Sequence, residues 1–368
     1  MFIQKLRIQQ FRCFSDKSFS FQKPIVLLEG GNGSGKTSIL EALHYACFFK
    51  SFRTNKANDL VSLEKDHFFL QVDFQEANDA QSSVQVGFSA PRGEPQKRLV
   101  KFNKKTIKSY KELIEHFRVI TLTEDDLQLV QGSPEHRRYF LNQFLVLLDY
   151  SFYLHLKKYN QILSQRNKLL RTGLSKSSDK SLFLWSQQLW EQTVLIQKAR
   201  QEKLAQLEIE VNKILKTSFK SLEVTVAFEY QAKNKTLQRD FETFWKEFRE
   251  TKGDLEWRLQ RSLFGIHIDD FLISFQHKKA RHFASRGQQK LIVFLLKIAL
   301  IQRLEELGIH VSFLLDDFLT DFDHERLTDC LVLLDKITCQ IFLTSPLQSL
   351  ILEHYTGDKD GIQVIKLS

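Results

Sequence analysis

The chain alternates between two hydrophobic periods, and the places where the period changes divide it into segments. Residues 2–10 alternate apolar and polar (Phe2, Gln4, Leu6, Ile8), the spacing of a half-exposed strand. Phe11-Arg12-Cys13-Phe14 follows as a loop. Ile25-Val26-Leu27-Leu28 is short and wholly apolar, as expected of a parallel strand buried on both faces. From Ser38 to Ala46 the apolar residues fall at helical spacing. Alternation returns over 67–76, 83–89 and 98–102, with a turn at Pro91-Arg92-Gly93-Glu94-Pro95. Val119-Ile120-Thr121-Leu122 predicts another strand, which leads into Glu124-Asp125-Asp126.

Beyond residue 122 the pattern is mainly helical. Gly132-Ser133-Pro134-Glu135 reads as a helix start, with Ser133 as N-cap and Pro134 at the first helical position. Residues 135–170 keep helical spacing, Arg171 to Ser181 is a polar turn, and a second long helix covers 182–215. Its Trp185, Leu189, Ile196, Leu207, Val211 and Ile214 share one face. About 34 residues of helix span roughly 50 Å, so the two helices make either a projecting arm or part of a helical bundle. Residues 222–231 and 266–276 read as strands, with a helix around 240–262 between them. Ser285 is placed to cap a strongly apolar helix, Leu291 to Leu304. Val311 to Leu315 is an apolar run ending in Asp316-Asp317, and Ile341-Phe342-Leu343-Thr344 is a further strand, followed by Ser345. No internal repeat is present.

Composition narrows the class. A chain of 368 residues suggests one to three domains, and the formal net charge of +9 favours a polyanionic partner. Cys13, Cys47, Cys330 and Cys339 form no C-x-x-C pair and read as reduced core residues of a cytosolic protein. The longest apolar stretch, Leu291 to Ile301, is interrupted by Lys297 and is too short for a membrane span. The N-terminus begins directly with strand-like alternation and lacks a signal-peptide profile. A cytoplasmic protein without a membrane partner is expected.

The chemistry begins at Gly30-Gly31-Asn32-Gly33-Ser34-Gly35-Lys36-Thr37, which fits G-x-x-x-x-G-K-[ST], the phosphate-binding P-loop. Strand, glycine-rich loop and helix follow in the order that phosphate binding needs. The glycines let backbone N–H groups turn toward phosphate oxygens, and the helix N-terminus adds partial positive charge. Lys36 is then the phosphate cation, and Thr37 offers its hydroxyl to Mg²⁺. Asp316 is expected to help hold Mg²⁺ from a strand lying beside the P-loop strand, and Asp317 to orient an attacking water. Thr320-Asp321-Phe322-Asp323 is expected to be a loop facing a second nucleotide. Ser285-Arg286-Gly287-Gln288 is either a helix cap alone or a second phosphate-binding helix start. Because the chain already has a P-loop, the second reading points to a site completed across a dimer, with Ser285 and Gly287 facing the partner's γ-phosphate.

P-loop, S-x-G-Q helix start and Asp-Asp strand end, in this order, resemble the ATP-binding-cassette architecture. Within it the chain is similar to the RecF family of bacterial recombination-repair ATPases. The resemblance rests on Phe11-Arg12, the P-loop with Leu40-Glu41-Ala42, Ser51-Phe52-Arg53, Gly132-x-Pro134-x-x-Arg137-Arg138-x-Phe140-Leu141, Ser285-Arg286-Gly287-Gln288-Gln289-Lys290 and Leu314-Leu315-Asp316-Asp317. It implies an α/β cassette-type ATPase head from residues 1–122 and 305–368, with an inserted, mostly helical lobe at 123–304 that carries a short arm and the signature motif. It further implies ATP and Mg²⁺ as cofactors, an ATP-dependent homodimer, and weak, DNA-stimulated ATP turnover. The implied partners are double-stranded and gapped DNA, RecO and RecR, and, indirectly, RecA, which is placed on single strands at gaps.

The resemblance also makes Arg12 and Arg53 candidate nucleotide or DNA contacts. Arg137 and Arg138, with Lys157, Lys158 and Arg166, are either solvated helix charges or a DNA-backbone face. Three positions depart from the family pattern: Gly265-Ile266-His267-Ile268-Asp269-Asp270 stands for G-P-H-R-D-D, Thr320-Asp321-Phe322-Asp323 for S-E-L-D, and Gln10 for an asparagine. A transporter ATPase would share the phosphate motifs but carry a histidine at Ser345. A chromosome-organising ATPase of the SMC type would need far longer helical arms.

Overall fold

The structure is a computed structural model and describes residues 1–76, 78–108, 111–172, 179–234, 239–345 and 348–368. Met1–Asp126 and Ile301–Ser368 make one compact unit, and Leu127–Leu300 the other.

The first unit opens with strands β1 (Phe2–Phe11) and β2 (Phe14–Ser20). β3 (Ile25–Gly30) then runs through the glycine-rich loop into α1 (Lys36–Phe48). β4 (His67–Gln75), β5 (Gln81–Ser89), β6 (Lys97–Phe102), β7 (Lys105–Ile107), α2 (Lys111–Ile114) and β8 (Val119–Leu122) follow. β4 and β5 bury every second residue, as their alternation requires, whereas β3 buries Ile25 to Leu28 without interruption. β1 departs from simple alternation. A register irregularity between Ile3 and Lys5 turns Ile3 rather than Phe2 to the core face, together with Leu6 and Ile8.

The second unit contains α3 (Gln128–Gln131), α4 (Pro134–Leu148), α5 (Tyr150–Thr172), α6 (Asp179–Ser218), β9 (Val226–Gln231), α7 (Phe241–Leu259), β10 (Asp270–Phe275), β11 (Lys278–Lys279), α8 (Ala280–Phe283) and α9 (Arg286–Glu306), which runs on into the first unit. The continuous helical pattern over 135–170 is in fact two helices. Asp149 is extended, and its carboxylate accepts a hydrogen bond from the Ser151 amide at 2.8 Å, starting α5 anew. Residues 173–178 of the expected polar turn lie outside the described residues. α6 buries residues along its length, from Leu182 to Leu215, and packs on α4, α5 and β9. Phe183 and Trp190 also meet Phe241 of α7. The long helices are thus part of a packed helical lobe.

The chain returns through β12 (Ser312–Leu315), α10 (His324–Asp335), β13 (Gln340–Ser345), α11 (Gln348–His354) and β14 (Ile362–Leu367). These strands complete a five-stranded parallel sheet in the order β14-β3-β13-β12-β8. β13 therefore stands between the P-loop strand and the Asp-Asp strand, which are not neighbours as the sequence suggested. A second, antiparallel sheet has the order β2-β1-β4-β5-β6-β7, and β11-β10-β9 form a small sheet in the other unit. One apolar core joins both large sheets to α1, from Ile3, Phe11 and Phe68 to Ile39, Leu43, Leu314 and Phe342. α1 is thereby packed against both sheets, with its N-terminus at the carboxyl ends of the parallel strands, the edge where open α/β sheets bind ligands.

Candidate nucleotide site

The loops leaving β3, β12 and β13 meet at that edge. Gly35 caps α1 with φ 98°, a left-handed conformation, and a Cβ there would come within 2.5 Å of the Phe14 ring and 2.9 Å of the Cys13 sulfur. A side chain at Gly30 would meet the Leu367 carbonyl at 2.5 Å. Only glycine lets the loop curl this tightly. Lys36 is nearly buried, and its Nζ donates to the carbonyls of Gly30 at 2.7 Å and Gly31 at 3.1 Å. Its charge is thus folded back into the loop that a phosphate would fill, and the two carbonyls hold it there.

The Thr37 hydroxyl donates to Asp316 Oδ1 at 2.9 Å. The sequence reading missed Thr344, which links the two carboxylates. Its Oγ1 lies 2.9 Å from Asp317 Oδ1 and 3.2 Å from Asp316 Oδ1, and it accepts from the Asp317 amide at 2.7 Å. Thr344 is the penultimate residue of β13, the strand that intervenes, so the inserted strand supplies the connector. Burial, above all, pushes the Asp316 carboxyl above its ordinary range. The Asp317 charge acts the same way, while hydrogen bonds from Thr37 and Thr344 oppose it. Asp317 itself takes a left-handed backbone, φ 47°, at the start of a short turn, Phe318–Asp321. The side chains of residues 320–321 lie outside the described residues. Asp323 caps α10, accepting from the Arg326 amide at 2.9 Å.

Three of the blocks that carried the family resemblance converge on one buried carboxylate. Glu41, on α1, is fully buried and takes a two-pronged ion pair from Arg12 Nε and Nη2, both at 2.8 Å. Ser51 Oγ also donates to it, and Arg53 stands 3.8 Å away. The third Arg12 nitrogen donates to the Asp59 carbonyl at 2.8 Å. The Arg12 guanidinium is held by protein groups in this arrangement, and its pKa is raised chiefly by the Glu41 hydrogen bonds. A lone Glu within the apolar Ile39–Leu43 run was the available signal, because a buried carboxylate needs a cation.

Ser285, Arg286, Gly287 and Gln288 lie in the other unit. Ser285 Oγ accepts from the Gln288 amide at 3.3 Å, and Gln288 Oε1 accepts from the Ser285 amide at 2.8 Å, a reciprocal capping box. Ser285 and Arg286 are exposed. Buried Gln289 fixes this turn. Its Nε2 donates to the Ala284 carbonyl at 2.9 Å and its Oε1 accepts from Gln131 at 2.6 Å. Gln289 also escaped the sequence reading.

Two arginines expected on an exposed face are internal. Arg137 pairs through Nε and Nη2 with both oxygens of Asp270, at 2.7 and 3.0 Å, and Arg166 pairs with Glu256 while donating to Ser186 and Ser262. Neither can reach a DNA backbone. Lys157 and Lys158 are exposed, and Arg138 is partly buried against the Asp269 carbonyl at 2.8 Å. The altered Gly265–Asp270 segment holds this lobe together: Asp269 accepts from Gln197 and Tyr230, and His267 meets Tyr159. Cys13 is exposed, unlike the other three cysteines, and none of the four is in a disulfide. No helix among the described residues is long and apolar enough to cross a membrane.

The model of a family described as an AAA domain matches residues 5–249. The chain is 31% identical over 329 residues to a protein named DNA replication and repair protein RecF from Clostridium acetobutylicum, covering 89% of this chain and 88% of the other. It is 30% identical to the protein of the same name from Natranaerobius thermophilus, covering 98% and 94%. Among solved structures it is similar to the recombination mediator RecF bound to ATP, with TM-score 0.82, 23% identity and coverage of 95% and 92%. The Smc head domain of Pyrococcus furiosus shares the fold more distantly, with TM-score 0.58 and 12% identity over 98% of this chain and 94% of that one.

Proposed function

The chain belongs to the RecF family, and from that premise we propose that it is an ATP-dependent DNA-binding protein of recombinational repair and replication. The observation that carries the reading is the hydrogen bond from Thr37 to Asp316, which brings the P-loop hydroxyl and the strand-end carboxylate to one point. A hydroxyl and a carboxylate at the end of a phosphate loop are a hard oxygen pair suited to Mg²⁺, which keeps its other positions for phosphate and water.

Thr37 and Asp316 would hold the ion, and the loop from Gly30 to Gly35 would cradle the phosphates. The bound ion would neutralise charge developing on the phosphate oxygens. Lys36 would exchange its loop carbonyls for phosphate oxygens. Asp317 would orient a water, held in place by Thr344. Arg12 would act through Glu41, fixing α1 and the loop at Ser51-Phe52-Arg53. Ser285 and Gly287, with Arg286 and Gln288, would complete the partner's nucleotide site in an ATP-dependent homodimer.

Action with RecO and RecR to place RecA at gaps in DNA, in the cytoplasm, belongs to the same proposal, supported by family membership and the net charge of +9. Sizing chromatography with and without ATP, and with and without duplex DNA, tests it. A dimer formed only with ATP and retained on DNA is expected. A monomer under every condition would overturn the proposal.

A further inference from the structure

Between Asp270 and Glu305 the chain carries seven Lys and Arg residues and no Asp or Glu. Three of the seven are accounted for: Lys290 and Lys297 are buried, and Arg303 pairs with Glu306. Lys278, Lys279 and Arg281 are exposed, with Arg286 beside them at the start of α9. Their position is set by a tight hairpin. Ser274 pairs with Lys279 and Phe275 with Lys278, and both turn residues, Gln276 and His277, have positive φ, 49° and 63°. Ala280 is fully buried and pins the far end. Four successive exposed positions, Gln276 to Lys279, are therefore presented on a short and well-anchored ribbon.

Phe283 ends α8, the short helix that follows this basic ribbon, and is 64% exposed. Lys278 Nζ stands 5.2 Å from its ring centroid. An exposed aromatic ring among cations, with no acidic side chain in the segment, pairs two chemistries: attraction for phosphate and a flat face for a base. An acidic protein surface would use the charges but not the ring. From this juxtaposition we infer that Lys278, Lys279 and Arg281 contact the phosphates of a nucleic-acid strand while Phe283 stacks on an unpaired base. The inference rests on the DNA-binding reading above and gives it a location, in place of the buried Arg137 and Arg166. The same cations could instead serve nucleotide phosphates, a source that the test separates.

The experiment compares the full chain with a triple variant, Lys278→Gln, Lys279→Gln and Arg281→Gln, with Phe283→Ala, and with a control, Lys213→Gln, Lys216→Gln and Lys220→Gln, that removes equal charge from exposed positions on and just after α6. Fluorescein-labelled duplex and gapped DNA are titrated across a salt series at fixed ATP, and a fluorescent ATP analogue is titrated separately. The basic triple variant should lower the salt slope for duplex by about 2 to 3, near 0.9 per lost phosphate contact. The control should leave the slope unchanged. Phe283→Ala should weaken gapped DNA roughly five-fold or more while leaving duplex binding nearly unchanged. All variants should bind the ATP analogue like the parent.

A parent that binds neither DNA would sink the DNA-binding reading itself. With a DNA-binding parent, an equal slope change in the control, an unchanged slope in the basic variant, or a loss of ATP-analogue affinity in its place would each overturn the assignment of this ribbon. A Phe283→Ala chain that weakens dimerisation and leaves gapped-DNA binding intact would overturn the stacking role. Lys279→Arg, which keeps charge and fold, should retain the parent's slope; a loss there would equally count against phosphate contact.

Discussion

Thr37 Oγ1 and Asp316 Oδ1 are hydrogen-bonded at 2.9 Å although 279 positions separate them in the chain. Two strand steps separate β3 from β12, because β13 lies between them. Each strand step is about 4.8 Å, so α1 must lean across β13 for the contact to form, and Thr344, the penultimate residue of β13, joins it. The geometry makes three residues, Thr37, Asp316 and Thr344, one unit.

Lys36→Ala removes the cation at the phosphate loop. ATP affinity should fall about ten-fold or more, the size of a lost charge-assisted contact, with ATP-dependent self-association falling alongside. Titration of a fluorescent ATP analogue checks this. An affinity equal to that of the parent would remove Lys36 from the site.

Thr344→Val keeps shape and removes the hydroxyl that touches both carboxylates. Hydrolysis should slow on the order of ten- to a hundred-fold through loss of orientation, while ATP still binds. Asp317→Asn should act in the same direction, with the ATP-bound dimer accumulating. Steady-state ATPase unchanged in both chains would shift the water-orienting role to another acid.

Asp316 gives a pH signature. Its ordinary value is 3.8, and burial raises it in the folded protein. Between those values the folded chain binds more protons than the unfolded one. The stability it contributes is therefore present at low pH and lost as pH rises through the raised value. Asp316→Asn should remove that decline, leaving the metal-free protein at least as stable as the parent at neutral pH. Magnesium ions with ATP should stabilise the parent but not the variant. Thermal melts across pH, with and without Mg²⁺-ATP, check both signs, and a variant that melts well below the parent at neutral pH would contradict them.

The clasp at Glu41 should be structural. Breaking a buried pair from one side costs about 3 kcal/mol or more, so Arg12→Ala and Glu41→Ala should each destabilise by that order, and the double variant by much less than the sum. Chemical denaturation checks it; full additivity would mean that the two residues are not coupled. Arg137→Leu should likewise lower stability while leaving the salt dependence of DNA binding untouched, because its guanidinium is committed to Asp270.

What was legible in sequence was local. The P-loop is contiguous, so its strand, glycines, Lys36 and Thr37 stand together in the chain as they do in space. β4 and β5 were legible because alternation reports burial directly, and Ser285 was legible as a helix cap, though the answering bond from Gln288 was not. What escaped depends on partners far off in the chain. Arg137 looks like a helix-surface charge until Asp270, 133 positions away, meets it, and Arg166 looks the same until Glu256 closes over it. Thr344 is an ordinary strand end unless β13 is known to stand between β3 and β12. Ile3 faces inward because of a bulge, and a bulge shifts by one residue what alternation alone would assign.

The most direct test of the shared site is a mixing series of two inactive chains, Ser285→Arg and Lys36→Ala. In a mixed dimer one site carries both defects and the other carries neither. If Ser285 and Gly287 complete the partner's nucleotide site, each chain alone should lack ATPase, and mixing should restore activity to at most one site per dimer. If Ser285 serves only the capping box with Gln288, its loss should cost about 1 kcal/mol of stability and nothing more. Recovery of ATPase that peaks near equal mixing is the expected result. No recovery at any ratio, with a lowered melting temperature for Ser285→Arg, would contradict the composite site and leave each chain working alone.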